Sequence, residues 1–371
     1  MQHILLFTLL IGLGCSSYDE HLSQETVEAA ISSRCMLRRL YDKFKSDHGL
    51  IRSKHEHPHR LTLFEKTLKR IQQLKKNSEI TWRVGFTPLS DLTDDEIQTK
   101  YHGSVNITGR DDTVNLSVTP SLKAAKVPES FDWRSPDSHH EIGFVTGVQK
   151  QQEGSCWARA AVVPLEALMK KLGGNLIQLS VFEIYDCTYD GNNGYNGQLG
   201  GGHPIDAWKW LQRSGRLTSR EWIPDRPGAK PTHFMKYVYD NTPNYFQGFK
   251  LETINKVKYE KQLISAVYEN SPVAVGFFMR GLDLDVYKGG SYYSVTCKEG
   301  DYHSMAVVGY TQKTLIIKNS WGLQWGEKGY LTWERYHYGR NCGLYEDAYY
   351  PTLTLENDIW SKGEKKMKKA L

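Results

Sequence analysis

Cys156 stands in the run Gln151-Gln152-Glu153-Gly154-Ser155-Cys156-Trp157-Ala158, a setting suited to a nucleophile. Gly154 and Ser155 form a turn signal just ahead of it. Behind it, Ala161, Val162, Leu165, Leu168 and Met169 recur with helical spacing. The cysteine is thereby predicted at a helix N-terminus, where the partial positive charge of the aligned peptide dipoles favours thiolate over thiol. The competing reading of a lone cysteine is a small buried hydrophobe. A reactive thiolate needs a base and a group to orient that base. His303, in Tyr302-His303-Ser304-Met305-Ala306-Val307-Val308-Gly309-Tyr310, supplies an imidazole. Asn319, in Lys318-Asn319-Ser320-Trp321-Gly322, supplies a carboxamide. Cysteine, histidine and asparagine in that order suit acyl transfer through a thioester.

The elements that must position these groups fall into two kinds. Residues 156 to 215 carry helical patterns. From about residue 245 the chain turns to short β-rich runs such as Val273-Ala274-Val275-Gly276-Phe277-Phe278 and Leu315-Ile316-Ile317. Ahead of both, Val27, Ala30, Ile31, Leu37, Leu40, Tyr41 and Phe44 predict one amphipathic helix from residue 25 to about 44. Leu61, Phe64, Leu68, Ile71 and Leu74 predict a second from about 56 to 76.

At 371 residues, 39% hydrophobic, the chain can bury a real core and is too polar for a membrane protein. A formal charge of +5 is mild, and no basic stripe interleaved with aromatics argues for nucleic acid. Residues 4 to 14 form a short apolar run followed by Cys15, Ser16 and Ser17, which reads as a signal peptide over residues 1–16. That run is too short to span a bilayer. Secretion implies an oxidising compartment, in which disulfides persist. Asn106-Ile107-Thr108 and Asn115-Leu116-Ser117 are glycosylation acceptors in a polar stretch that reads as a linker. The basic tail from Glu356 reads as a solvated charge run, and the cysteines and histidines lack metal-ligand spacing.

Three motifs in register resemble the papain family of cysteine proteases. His303 follows Cys156 by about 150 residues, as in that family, with Asn319 beyond it. Val127-Pro128-Glu129-Ser130-Phe131-Asp132-Trp133-Arg134 resembles the start of a mature papain-type enzyme, and the likeness runs to Pro351. Upstream, Glu56, Arg60, Phe64 and Ile71 match the spaced helix motif of the family's inhibitory propeptide. Thr67 and Lys75 depart from it. Gly85-Phe86-Thr87-Pro88-Leu89-Ser90-Asp91-Leu92-Thr93 is similar to the propeptide's Gly-x-Asn-x-Phe-x-Asp segment, with Thr87 and Leu89 as substitutions.

The resemblance implies an α+β fold: a helical lobe with the cysteine and a β-barrel-like lobe with the histidine and asparagine, preceded by a helical propeptide. Beyond the signal peptide over 1–16, it implies a propeptide over 17–126 and a catalytic domain over 127–371. It places the oxyanion donor at Gln151, with Gln152 as the alternative because the loop is one residue short. It places close-approach glycines at Gly201 and Gly202, with a register around Gly194 and Gly197 competing. Trp321 would shield the histidine–asparagine bond. The family's cysteine ahead of the nucleophile is replaced by Glu153 or Gln152, and its disulfide partner is absent as well. A Cys297–Cys342 disulfide is implied, which leaves Cys187 as a buried thiol. Asp347 falls at the floor of the pocket that selects the second residue before the cleaved bond, where an acid would welcome arginine. Arg159 and Pro164 are unusual in the nucleophile helix.

The functional expectation is a monomeric, secreted or endolysosomal cysteine endopeptidase made as a zymogen. Its partners would be protein or peptide substrates and its own propeptide. It would use no metal or cofactor and bind neither nucleic acid nor membrane. The alternative is a catalytically silent relative acting as a secreted binding protein.

Overall fold

The computed structural model describes residues 23–106, 117–118, 127–136, 143–188, 201–226, 241–280, 282–294, 296–335 and 341–356. The signal-peptide expectation, Asn115, the competing Gly194 register and the basic tail lie outside them. The chain forms two compact units. One comprises the residues up to Leu92 with Asp285–Lys288; the other comprises Thr93–Leu284 with the residues from Gly289 on.

In the first unit the expected single helix is two, Gln24–Ser32 and Arg34–Asp47. Ser33 is extended, closes the first helix, and caps the second by accepting Met36 N. A serine hydroxyl competes with the helix ladder and so favours such a boundary. The next helix, His57–Lys76, starts one residue after Glu56 and carries a proline in its first turn. Its buried face is Leu61, Phe64, Leu68 and Ile71, while Leu74 is only partly covered. Phe64 lies 4.4 Å from Phe86 and 4.9 Å from Phe44, ring centre to ring centre. Fully burying such a side chain contributes roughly 1.5–3 kcal/mol. Beside this core sits a buried carboxylate, Asp91. It accepts Tyr41 Oη at 2.9 Å and the Arg52 guanidinium at 2.9 and 2.6 Å. Arg60 Nη1 donates to the Asp91 carbonyl at 3.2 Å. Of the helix-motif residues, Arg60, Phe64 and Ile71 are therefore core, and Glu56 is an exposed partner of Arg60 at 3.3 Å.

The second unit is α+β. Its central helix, Cys156–Lys171, is buried on nearly every face, including its charged residues Arg159, Glu166 and Lys170. It runs on through Pro164. Trp208 Nε1 donates to Ala161 O at 3.0 Å, adding a tertiary donor in the turn that the proline weakens. The helices Val181–Cys187 and Pro204–Ser214 share one apolar core with it. The expected barrel-like half is a nine-stranded sheet among the described residues. At its centre the strand Lys298–Tyr310 pairs antiparallel with both Val273–Arg280 and Thr314–Lys318. The strand Ala348–Leu355 lies between Val273–Arg280 and Phe249–Val257. Cys297 and Cys342 form a disulfide, with Cα atoms 5.1 Å apart. Among the described helices none is long and apolar enough to cross a membrane.

Candidate active site

Cys156 is the first residue of its helix and is fully buried. Ser155, the cap residue, makes no side-chain cap bond. The first-turn N–H groups are therefore left for other acceptors. His303 occurs on the central strand, facing Phe277 across the pairing with Val273–Arg280. Its Nε2 meets Asn319 Oδ1 at 3.0 Å, and its Nδ1 is buried with no hydrogen-bond partner. The tautomer that fits is Nε2–H donating to the asparagine, which leaves Nδ1 as the acceptor. Trp321 covers this pair, with its ring 5.0 Å from that of His303 and itself 99% buried.

Gln151 is held at both ends. Its backbone N–H donates to Ser320 O at 2.8 Å, and its side-chain carbonyl accepts the Ser320 hydroxyl. Its Nε2 donates to Lys100 O and to Glu153 O, each at 3.0 Å. Of the two candidates, Gln151 is buried and Gln152 is exposed.

A segment from the end of the helix Asp94–Tyr101 onward runs through the same place. Gly103 N–H donates to Cys156 Sγ at 3.2 Å. Gly202 N–H donates to Gly103 O at 2.9 Å, and Val105 N–H donates to Gly202 O at 3.0 Å. The Ser104 and Ser304 hydroxyls are 2.6 Å apart. The His102 ring lies 5.9 Å from His303 and 6.1 Å from Trp321. This approach leaves no room for a side chain at Gly103 or Gly202 and little at Gly201. A Cβ at Gly103 would fall 1.9 Å from Gly154 O, one at Gly202 would fall 2.7 Å from the Trp157 ring, and one at Gly201 would fall 3.1 Å from Gly103 O. The register with Gly201 and Gly202 thus lies along the segment.

Burial under this cover sets the electrostatics. Desolvation pushes the Cys156 thiol up, against the help of nearby backbone N–H groups. Desolvation, with His102 beside it, pushes His303 down to about 3. Both groups are therefore neutral near neutral pH while the segment is in place.

Asp347 does not match the expectation of an unpaired acid. It is 98% buried, accepts Tyr302 Oη at 2.8 Å, and has both oxygens 3.1 Å from His203 Nε2. Its oxygens are hydrogen-bonded to two side chains of its own chain rather than left open in a pocket floor. Cys187 is half-buried rather than buried and forms no disulfide. Asn106 is exposed. Sequence reasoning missed two features: the His203–Asp347–Tyr302 cluster and the approach of Gly103 to Cys156. It noted Glu153 and Arg159 only as separate oddities, although a buried acid and a buried base flanking one turn signal a pair.

Comparison with known proteins agrees with this geometry. Residues 127–352 match the model of the papain family cysteine proteases, and residues 41–97 match that of the cathepsin propeptide inhibitor domain. Papain from Carica papaya is 31% identical over 332 residues, covering 86% of this chain and 88% of its own. The proform of the ragweed pollen cysteine protease Amb a 11 superposes with a TM-score of 0.70 at 25% identity, over 91% of this chain and 97% of its own. Digestive procathepsin L 3 from the Tenebrio molitor larval midgut gives 0.70 at 24% identity, over 85% and 99%. This chain therefore belongs to the papain family of cysteine proteases, is a papain-like cysteine endopeptidase, and carries that family's inhibitor domain ahead of the protease domain.

Proposed function

We propose that this protein is a zymogen whose catalytic groups are Cys156, His303 and Asn319. In the opened enzyme His303 Nδ1 takes the proton of Cys156, giving a thiolate–imidazolium pair. Sγ attacks the scissile carbonyl carbon. The resulting oxyanion is met by the Gln151 amide and the Cys156 N–H. The C–N bond then breaks as the leaving amine takes the proton from His303. Water, deprotonated by His303, cleaves the thioester and restores the thiol. Asn319 holds the imidazole in the tautomer that these steps need, and Trp321 keeps water from that bond.

The observation that carries this reading is the Gly103 N–H resting on Cys156 Sγ. The segment offers the nucleophile a hydrogen-bond donor where a substrate would offer a carbonyl carbon, so it blocks without being cut. We assign residues 1–16 to a signal peptide, 17–126 to the propeptide and 127–371 to the catalytic domain. The product is a secretory or endolysosomal monomer, glycosylated at Asn106 and Asn115. Gly201 and Gly202 line the substrate path. Against the silent relative, each of the three guanidinium nitrogens of Arg159 has a partner, and the helix continues through Pro164.

The test is labelling with a thiol-reactive epoxide peptide at mildly acidic pH. The matured protein should be modified at Cys156 and lose peptidase activity in proportion, while the full-length chain resists. No modification of the matured protein, or modification elsewhere without loss of activity, would overturn the assignment.

A further inference from the structure

Residues 149–155 carry the Gln151 amide and the turn that delivers the Cys156 N–H. One buried ionic knot ties this loop together. Arg159, one turn into the nucleophile helix, is 97% buried. Its Nη2 donates to Glu153 Oε1 at 2.7 Å, its Nε to Ser155 Oγ at 2.9 Å, and its Nη1 to Gln149 Oε1 at 2.5 Å and Asp225 Oδ2 at 3.1 Å. Glu153 spreads the hold further. Its carboxylate accepts Ser155 Oγ at 2.5 Å and Gln152 N at 3.0 Å, while its carbonyl accepts Gln151 Nε2 at 3.0 Å. Asp225 is shared with Arg220 at 3.1 Å.

A guanidinium is a planar fork of five donors in fixed directions. Here the fork grips three separate points of one loop and so fixes the distances between them. We propose that Arg159 is a positioning residue. With Glu153 it holds the loop so that the Gln151 amide and the Cys156 N–H converge on one point, and it sets turnover without touching the substrate. Without Arg159, Glu153 is left as an uncompensated buried charge; without Glu153, Arg159 keeps Asp225 but loses its grip on the loop at residue 153. The proposal deepens the peptidase reading above and rests on it.

The experiment compares matured wild type with Arg159→Met, Arg159→Lys, Glu153→Gln and the double variant Arg159→Met/Glu153→Gln. The substrate is a fluorogenic peptidyl amide, and active sites are counted by titration with the epoxide peptide. Misplacing an oxyanion donor should lower kcat per titrated site about 30-fold in Arg159→Met, with KM within about threefold of wild type. Arg159→Lys keeps the charge without the fork and should retain part of the turnover. The double variant should be no worse than Arg159→Met alone, because the two residues act as a unit. Inhibition by a peptide aldehyde, whose adduct bears the same oxyanion, should weaken in step with kcat. Unchanged kcat per titrated site, with losses confined to the fraction of folded protein, would overturn the proposal, as would additive losses. If Arg159→Met does not fold, Arg159→Lys and Glu153→Gln carry the same per-site test. A wild type with no titratable thiol would overturn the peptidase reading as well. A fully titrating wild type with unaffected variants overturns only this proposal.

Discussion

Two buried histidines in the catalytic unit sit in opposite circumstances. His203 Nε2 faces both oxygens of Asp347, which also takes the Tyr302 hydroxyl. His303 is tied on one side to Asn319, and its other nitrogen has no partner. The first cluster is closed, with its polar groups facing one another across apolar surroundings. The second leaves Nδ1 without a hydrogen-bond partner, with the Tyr101 backbone near the ring, and His303 is one residue from Ser304, whose backbone N–H reaches Cys156. Leaving a buried polar atom unpaired costs on the order of 1–3 kcal/mol. On the proposed reading, the difference separates a histidine that holds the fold from one that acts.

The sharpest way to break the comparison is to remove what the unpartnered nitrogen serves. Cys156→Ala should lower peptidase activity on the order of 10⁴-fold or more while leaving the melting temperature close to that of wild type. Wild-type turnover in a folded Cys156→Ala protein would mean that His303 serves some other group.

The pH dependence of the thiol comes next. With the segment at residues 100–105 in place, burial raises the thiol and lowers the imidazole, so both are neutral. In the full-length chain, alkylation of Cys156 by iodoacetamide then follows the rare thiolate. Its rate should climb about tenfold per pH unit from about pH 5 to about pH 8. Removing the segment lifts the desolvation that disfavours both charges. The pair can then ionise internally, thiolate with imidazolium, and the rate should be high and nearly flat over the same range. The rate is thus lost as pH falls only in the covered form. Equal slopes before and after maturation would show that the cover does not control ionisation.

Much of this site is legible in the sequence, and the reasons are local. The turn at Gly154 and Ser155 and the apolar spacing after it put Cys156 at a helix start. The β-rich runs put His303 on a strand, and Asn319 directly after the neighbouring strand Thr314–Lys318. What is not legible depends on partners far apart in the chain. Asp347 looks like an open acid because His203 and Tyr302 lie in other elements. The Gly103 contact depends on a path that no periodicity reports. The break at Ser33 was missed for a different reason: apolar positions run on across it, and a capping hydroxyl is a weak signal beside that pattern.

The closed cluster predicts a different kind of loss. Asp347→Ala would strand the His203 ring and the Tyr302 hydroxyl in a buried space. It should cost about 3 kcal/mol, lowering the melting temperature of the matured enzyme by roughly 6–12 °C. Substrates with arginine or leucine at the second position before the cleaved bond should be affected alike. Selective loss of the arginine substrate in thermal and kinetic assays would restore Asp347 to a selecting role and undo the contrast.

The smallest effect sharpens the role of the cover itself. Gly103 lies against the backbone of Gly154, and a Cβ there would meet a carbonyl oxygen at 1.9 Å. That atom belongs to the turn before Cys156, which is held through Glu153 and Arg159, so it cannot yield cheaply. The segment must shift instead, lengthening the Gly103 N–H contact with Cys156 Sγ and the pairing with Gly202. Overpacking of this kind costs typically 1–3 kcal/mol, which is about 5- to 150-fold in the population of the opened form. Full-length Gly103→Ala should therefore react faster with the epoxide peptide by that factor. Its matured product, which has lost residue 103, should match wild type in kcat and KM. Ser104→Ala removes a hydroxyl bond without adding bulk and should raise reactivity by less. If Gly103→Ala stays as inert as the wild-type zymogen, the covering segment is held by contacts other than those at Cys156 and Gly202.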